Sequence, residues 1–412
     1  MSKNFLPISQ VADMLSVSKE TLRRWDSSGK LESTRHPVNG YRMYKKDDLK
    51  RFEQLGFIFD SKENFDEVKP RRKYQVIELF AGAGGLALGL EKAGFTCRLL
   101  NDIDQDACAT LRLNRPKWNV VDGDVRQIDF RKYRGNIDVI TGGFPCQAFS
   151  YAGKKLGFED ARGTLFYEFA RAVDEVRPLI AVGENVRGLL NHDQGKTLAG
   201  MQSILRELGY RLIPPQVLRA MLYKVPQKRE RLFLVAIRAD INADFEFPRP
   251  LSRTYTLRDA LKKGALYGCD VPESAGQRYP ADKARIMDMV PPGGYWRDLP
   301  DKEQRAYMQR SYFLGGGKTG MARRMSWDEP SLTLTCAPAQ KQTERCHPDE
   351  TRPFTVREYA RIQTFPDDWV FAGSVTSQYR QIGNAVPVNL GFALGQSLVA
   401  ALNQTRKSDL TA

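Results

Sequence analysis

The chain has 412 residues, a formal net charge of +14 and six cysteines. That length supports two or three domains with sizeable cores, and the excess of Lys and Arg favours a polyanionic partner, because cations that neutralise phosphates release counterions. The cysteines (Cys97, Cys108, Cys146, Cys269, Cys336 and Cys346) form no CxxC pair and keep no regular spacing, which argues against a disulfide framework and against a structural zinc site, and no metal is expected. No signal-like start and no apolar run of bilayer length is read, so the expected setting is a reducing cytoplasm without a membrane.

Residues 1–59 read as a small separate module, and 60–73 (DSKENFDEVKPRRK) as a charged linker. Within 8–49, Ile8, Val11 and Leu15 fall on one helical face, Ser16, Val17 and Ser18 turn the chain, and Leu22 and Trp25 bury a second helix. Lys19, Arg23 and Arg24 are then left exposed for a major groove, and Arg35 with Gly40, Tyr41, Arg42, Met43 and Tyr44 forms a wing. The pattern resembles the winged helix-turn-helix of the MerR family. That resemblance implies DNA contacts from Arg23, Arg24 and Arg42, and suggests repression of the chain's own gene or of a neighbouring nuclease gene. A folded appendage for solubility or chain pairing is the alternative.

From Tyr74 the pattern alternates buried strands, at 75–80, 98–102, 137–141 and 179–183, with helices at 86–93, 105–113 and 164–176. Two closing strands follow at 211–218 and 231–238. This predicts a doubly wound α/β sheet over 74–238 with ligands at the carboxyl ends of its strands. The first strand runs into Ala81, Gly82, Ala83, Gly84 and Gly85, which lets a ligand approach backbone at a helix start. The next tips carry Asn101, Asp102, Ile103 and Asp104, then Gly123, Asp124 and Val125. An acid at such a tip can accept from ribose hydroxyls, so an adenosyl ligand is expected, with NAD and S-adenosylmethionine still tied.

The 137–141 strand ends in GGFPCQAFS, which sets the Cys146 thiol on a proline-stiffened loop. A thiol there needs neighbours or backbone amides that favour thiolate before it acts as a nucleophile. Two further segments hold what attack on a cytosine ring requires: GENV with Glu184, and QKRER with Arg229 and Arg231. Glu184, protonated in an enclosed site, could donate to N3, and Arg231 could stabilise O2.

The ordered blocks ELFAGAGG, NDID, GDV, GGFPCQAFS, GTLFYEF, GENV, QKRERLFLVAI, RPFTVREYARIQTFPDDW and QIGNAVPVNL resemble those of the DNA cytosine C5-methyltransferases. The resemblance implies a Rossmann-like methyltransferase fold, with Phe80, Gly82, Gly84, Asp102, Ile103, Asp124, Val125, Leu165 and Asn384 around S-adenosylmethionine. It implies a catalytic set of Cys146, Glu184, Arg229 and Arg231, with Gln147, Ser150 and Lys154 on double-stranded DNA and the 150–158 loop closing over it. Glu78 departs from the family's usual Asp, Asp102 from its common Glu, and Ala152 from a serine of some relatives.

Residues 239–352 break the rhythm and read as a smaller target-recognition domain, in which Arg305, Arg310, Lys318, Arg323, Arg324, Lys341 and Arg345 are candidate DNA contacts. The glycine run at 315–317 suits a DNA-hugging loop or a hinge equally. Residues 353–412 return to the catalytic domain, with helices expected at 355–363 and from 388 onward. The implied protein is a bacterial, nucleoid-associated modification enzyme, either an orphan or paired with a restriction endonuclease that acts on the same site without stable contact. A transfer RNA methyltransferase, a regulator with a degenerate body and a nicotinamide enzyme stand as the alternatives.

Overall fold

The computed structural model describes residues 4–410 except 16, 38–39, 53–54, 57–62, 66, 146–163 and 316–317. At the amino end, α1 (Ile8–Leu15) and α2 (Lys19–Ser27) pack on an antiparallel sheet of β1 (Phe5–Pro7), β2 (Thr34–Arg35) and β3 (Arg42–Lys45) in the order β1-β3-β2. Ser18 caps α2 by accepting from the Thr21 N–H, which satisfies an otherwise orphan donor. Val11, Leu15, Leu22 and Tyr44 are buried in the small core, while Ile8 and Trp25 sit at its margin. Arg42 was expected to face DNA. Its Nε instead lies 2.7 Å from Asp26 Oδ2, so it braces the wing hairpin against α2.

The body is built on an eight-stranded mixed sheet. In chain order it contains β4 (Tyr74–Leu79), α3 (Gly85–Lys92), β5 (Phe95–Asp102), α4 (Gln105–Asn114), β6 (Val120–Asp122), β7 (Val139–Gly142), α5 (Leu165–Val176), β8 (Ile180–Val186), α6 (Lys196–Glu207), β9 (Tyr210–Leu212), β10 (Gln216–Arg219), β11 (Gln227–Lys228) and β12 (Glu230–Arg238). The sheet order is β10-β12-β8-β7-β4-β5-β6, with β9 also on β12; β4 to β8 pair in parallel and β12 is antiparallel to β8. Order reverses between β4 and β7, the place where such sheets open a crevice for ligands.

The central strands are largely apolar because both faces are covered, and their buried residues alternate between two cores. Val76, Val139, Ile180, Val182, Phe233 and Val235 enter one, and Ile77, Ile140, Ala181, Leu232 and Leu234 the other. The single strand expected over 211–218 is two strands. Pro214 and Pro215 lack N–H donors and break the ladder between β9 and β10.

Beyond the sheet come α7 (Leu257–Leu261), α8 (Ala281–Asp288), α9 (Asp301–Met308), β13 (Ser331–Leu332), α10 (Val356–Ile362), α11 (Val375–Asn384) and α12 (Val388–Leu402). A smaller core gathers Ile286, Met287, Trp296, Met308, Met321 and Cys346. Leu257, Leu261, Met325 and Leu334 join the main core instead, so the 239–352 segment divides between two cores.

The returning helix α12 lies across α3, where a Cβ on Gly89 would come within 2.6 Å of the Gly391 and Phe392 backbones. Only a bare glycine permits that approach. One stretch, Val375–Leu402, is long and apolar enough to cross a membrane by length and composition, contrary to the sequence expectation, but 72% of its most apolar window is buried in the body. It is two core helices, α11 and α12, interrupted at Ala385, Val386 and Pro387.

Candidate active site

A cavity of about 450 Å3 opens at the carboxyl ends of β4, β5, β7 and β8 and is closed on one side by Arg380, Gln381 and Asn384 of α11. Phe80, Gly82, Asp102, Ile103, Leu165 and Asn384, all expected around the cofactor, share its wall. Asp102 organises the floor: its Oδ2 accepts from the Gly82 N–H at 2.7 Å and its Oδ1 from the Asp104 N–H at 2.9 Å. The glycine loop and the β5 tip are thereby fixed together. Burial raises the Asp102 carboxyl above its ordinary value, and those two N–H bonds oppose the rise. Ile103 is 73% exposed at the cavity mouth, an apolar surface where a flat ring could lie.

Three expected cofactor residues stand elsewhere. Gly84 has a φ of 82° and faces Leu111, 2.5 Å from where its Cβ would be, so it serves packing behind the loop. Asp124 caps its own turn and bonds Arg126, and Val125 is buried in the core; neither lines this cavity.

The opposite wall carries Glu184 and Arg231. Arg231 stands opposite Val186 and Glu184 opposite Phe233 in the β12–β8 ladder, so the two are diagonal neighbours on one face. Arg231 Nε lies 2.7 Å from Glu184 Oε1, with both side chains 12% exposed. Burial pushes the Glu184 carboxyl above its ordinary value, while Arg231 and Arg229 hold it down; burial likewise lowers Arg231. The second oxygen, Oε2, faces Gly143, 3.1 Å from where a Cβ would sit. That is the loop leading to Cys146.

Cys146, Gln147, Ser150 and Lys154, with the whole 150–158 loop, lie outside the described residues. The approach to Cys146 is described as far as Pro145, which lines the cavity. Asn185 fixes it, donating from Nδ2 to the Phe144 carbonyl at 2.8 Å. Asn185 is not among the expected site residues; its signal in the sequence is a polar residue at the last buried position of a largely apolar strand.

Arg229 was grouped with the catalytic residues, yet it does not line this cavity. It is 1% exposed and donates to the carbonyls of Leu334, Gly383 and Asn384. It therefore ties the QKRER segment to Leu334, just past β13, and to the end of α11. Glu78, the family departure, was also not expected in the site. It lines the cavity with Oε2 buried and without a hydrogen-bond partner. Burial, then the charges of Glu184 and Asp102, puts its carboxyl well above the ordinary range.

Among the expected DNA contacts, Arg23 and Arg24 are exposed on α2, and Arg305 and Arg310 are exposed around α9. Arg324 and Arg345 are 4% and 5% exposed and spent on backbone carbonyls. Lys318 donates to the Ser311 and Leu314 carbonyls, and Lys341 to that of Tyr307.

Residues 74–400 match the family model described as C-5 cytosine-specific DNA methylase, and residues 7–44 match the MerR family regulatory protein model. The chain is 64% identical over 99% of its length to a Type II methyltransferase, M.Eco47II of Escherichia coli, covering 98% of it. It is 56% identical to M.PspPI of a Psychrobacter strain over 98% of each chain, and 50% identical to M.Sau96I of Staphylococcus aureus over 86% of this chain and 82% of that one. Among solved structures, a DNMT2 variant from Spodoptera frugiperda shares the fold at a TM-score of 0.57, with 18% identity over 79% of this chain and 99% of that one.

Proposed function

The chain belongs to the C-5 cytosine-specific DNA methylase family, and from that premise we propose that the cavity is where a methyl group passes from S-adenosylmethionine to carbon 5 of a cytosine in duplex DNA. It is a DNA cytosine C5-methyltransferase of the restriction-modification type. The observation that carries the site assignment is the buried Glu184–Arg231 pair, which shares one cavity with the loop running to Cys146.

The residues present fit S-adenosylmethionine. The volume lies in the range of small-ligand sites, roughly 300 to 1,000 Å3. Asp102 retains lone pairs for ribose hydroxyls, Ile103 offers an apolar face to adenine, and the orphaned Glu78 Oε2 is left for a polar group of the cofactor. When bound, this cofactor supplies a methyl group carried on a sulfonium.

A cytosine stacked in a duplex does not present C6, so the base is swung out into the site at a cost of a few kcal/mol. The Cys146 thiolate adds to C6 and pushes the C5–C6 electron pair toward C5. Protonated Glu184 donates to N3, and Arg231 stabilises the charge that gathers on O2. C5 would then be the acceptor for the methyl group, with the C–S bonding pair staying on the sulfur as a neutral thioether. A base removes the C5 proton, the double bond re-forms, and Cys146 leaves as thiolate.

The segment around the smaller core, with Arg305 and Arg310 exposed, is the proposed reader of target sequence. A restriction endonuclease acting on the same site without stable contact is the proposed functional partner, and the cytoplasm, on the nucleoid, the proposed location.

A duplex carrying 5-fluorocytosine at the target tests the chemistry, since fluorine on C5 cannot leave as a proton and the enzyme should stay bonded to C6. The expected result is a denaturant-stable adduct that requires Cys146 and S-adenosylmethionine. No adduct, or one that persists in Cys146→Ala, contradicts the assignment.

A further inference from the structure

The amino-terminal module is fastened to the catalytic body. Lys228 of β11 lies 2.9 Å from Asp13 Oδ2 and 3.2 Å from Glu329 Oε2, and Lys19 at the start of α2 lies 2.8 Å from Glu329 Oε1. Arg219 of β10 adds bonds to the carbonyls of Asp13 and Met14. Burial alone would raise Glu329, but Lys228 and Lys19 more than offset it and bring its carboxyl down to about 2. The network is charge-complementary and half-buried, unlike an exposed ion pair of negligible worth.

The docking point is close to the chemistry. β11 pairs in parallel with β13, just beyond Glu329. Lys228 is three positions from Arg231 in sequence, so their Cα atoms stand at most about 11 Å apart. One turn of duplex is about 34 Å. The docking point therefore lies within a fraction of a helical turn, in distance, of the residue that a flipped cytosine would reach. On α2, Lys19 and Arg23 are one helical turn apart on the same face. The face that meets Glu329 thus continues into Arg23, whose side chain is 51% exposed and, among the described residues, pairs with the exposed Glu20; Arg24 beside it is exposed too.

We propose that the module is a second grip on the substrate duplex: docked on the β11–β13 rim, it lays Arg23 and Arg24 on DNA a few base pairs to one side of the target cytosine. Both parts of the chain then hold one duplex, in contrast to a free regulator that visits an operator of its own. The inference rests on the methyltransferase reading above.

The test uses the full chain and two duplexes that carry its mapped methylation site: a long one of about 40 base pairs centred on the site, and a short one trimmed to the edge of that site on the side where trimming weakens wild-type binding. Affinity is measured across a salt series for wild type and for Arg23→Ala with Arg24→Ala. Loss of two phosphate contacts is expected to weaken the long duplex about tenfold and to make the slope of log affinity against log salt shallower by about 2. The short duplex should bind and react as before, which also shows that the variant is folded. Equal affinities and slopes for both proteins on the long duplex would overturn the proposal. So would loss of binding to the DNA upstream of the gene with both substrate duplexes unaffected. Wild-type transfer to the short duplex upholds the methyltransferase chemistry whatever the arginines do.

Discussion

Arg231 Nε and Glu184 Oε1 stand 2.7 Å apart on neighbouring antiparallel strands, each side chain 12% exposed. Two groups so joined act as one unit on the bound base. Glu184→Gln is expected to lower kcat by about 10² to 10⁴, the range for a general acid, and Arg231→Ala by about 10² to 10³, the range for one electrostatic donor. Removing both should cost little more than the worse single change. Single-turnover rates on one duplex check this, and additive losses would show that the pair is not coupled.

Glu78 sets a pH dependence of stability. Its carboxyl is buried, with one oxygen unpartnered, and burial holds it well above its ordinary value. The folded chain thus keeps a proton that the unfolded chain has released. The stability this contributes is fully present below the ordinary carboxylate range and is lost as pH rises through the raised folded value. Glu78→Gln cannot ionise, so as pH is raised from the ordinary carboxylate range upward the melting temperature should fall less in the variant than in wild type.

Asn185 bonds the Phe144 carbonyl at 2.8 Å and so sets the turn before Cys146. Asn185→Ala removes one buried hydrogen bond, worth about 1 kcal/mol, but it lets the nucleophile's loop drift. A misplacement of about 1 Å can cost about 10² in rate. The expected signature is a kcat reduced tens of times with the KM for S-adenosylmethionine little changed.

Gly89→Ala puts a methyl group where the Gly391 and Phe392 backbones stand 2.6 Å away. Overpacking of this kind costs about 1 to 3 kcal/mol. Denaturant titration should show a lower midpoint with an unchanged slope, together with weaker cofactor binding, because α12 follows directly on the segment that holds Asn384 at the cavity.

Much of this was legible in the sequence because the signals are local. The buried strands, the glycine loop after β4 and the amino-terminal helices follow from runs and spacings a few residues long. The rest depends on partners far away in the chain. Arg229 and Arg231 share parity, so alternation cannot separate them; what does is that Arg229 lies in the break between β11 and β12, with its carbonyl partners at Leu334, Gly383 and Asn384. Arg42, Arg324 and Arg345 read as surface cations, yet an aspartate or backbone carbonyls take up each of them. Asp124 and Val125 sit at a strand tip as expected, but the cavity wall does not reach them. The docking of the module on Lys228 left no mark in either segment alone.

The central claim is that Cys146 is the nucleophile that makes C5 of cytosine the methyl acceptor. Plasmid DNA is incubated with methyl-labelled S-adenosylmethionine and either wild type or Cys146→Ala, and the modified base is identified after digestion to nucleosides. The account requires label on 5-methylcytosine at a single sequence with wild type, and none with the variant. Label on adenine, or transfer that survives Cys146→Ala, would contradict it.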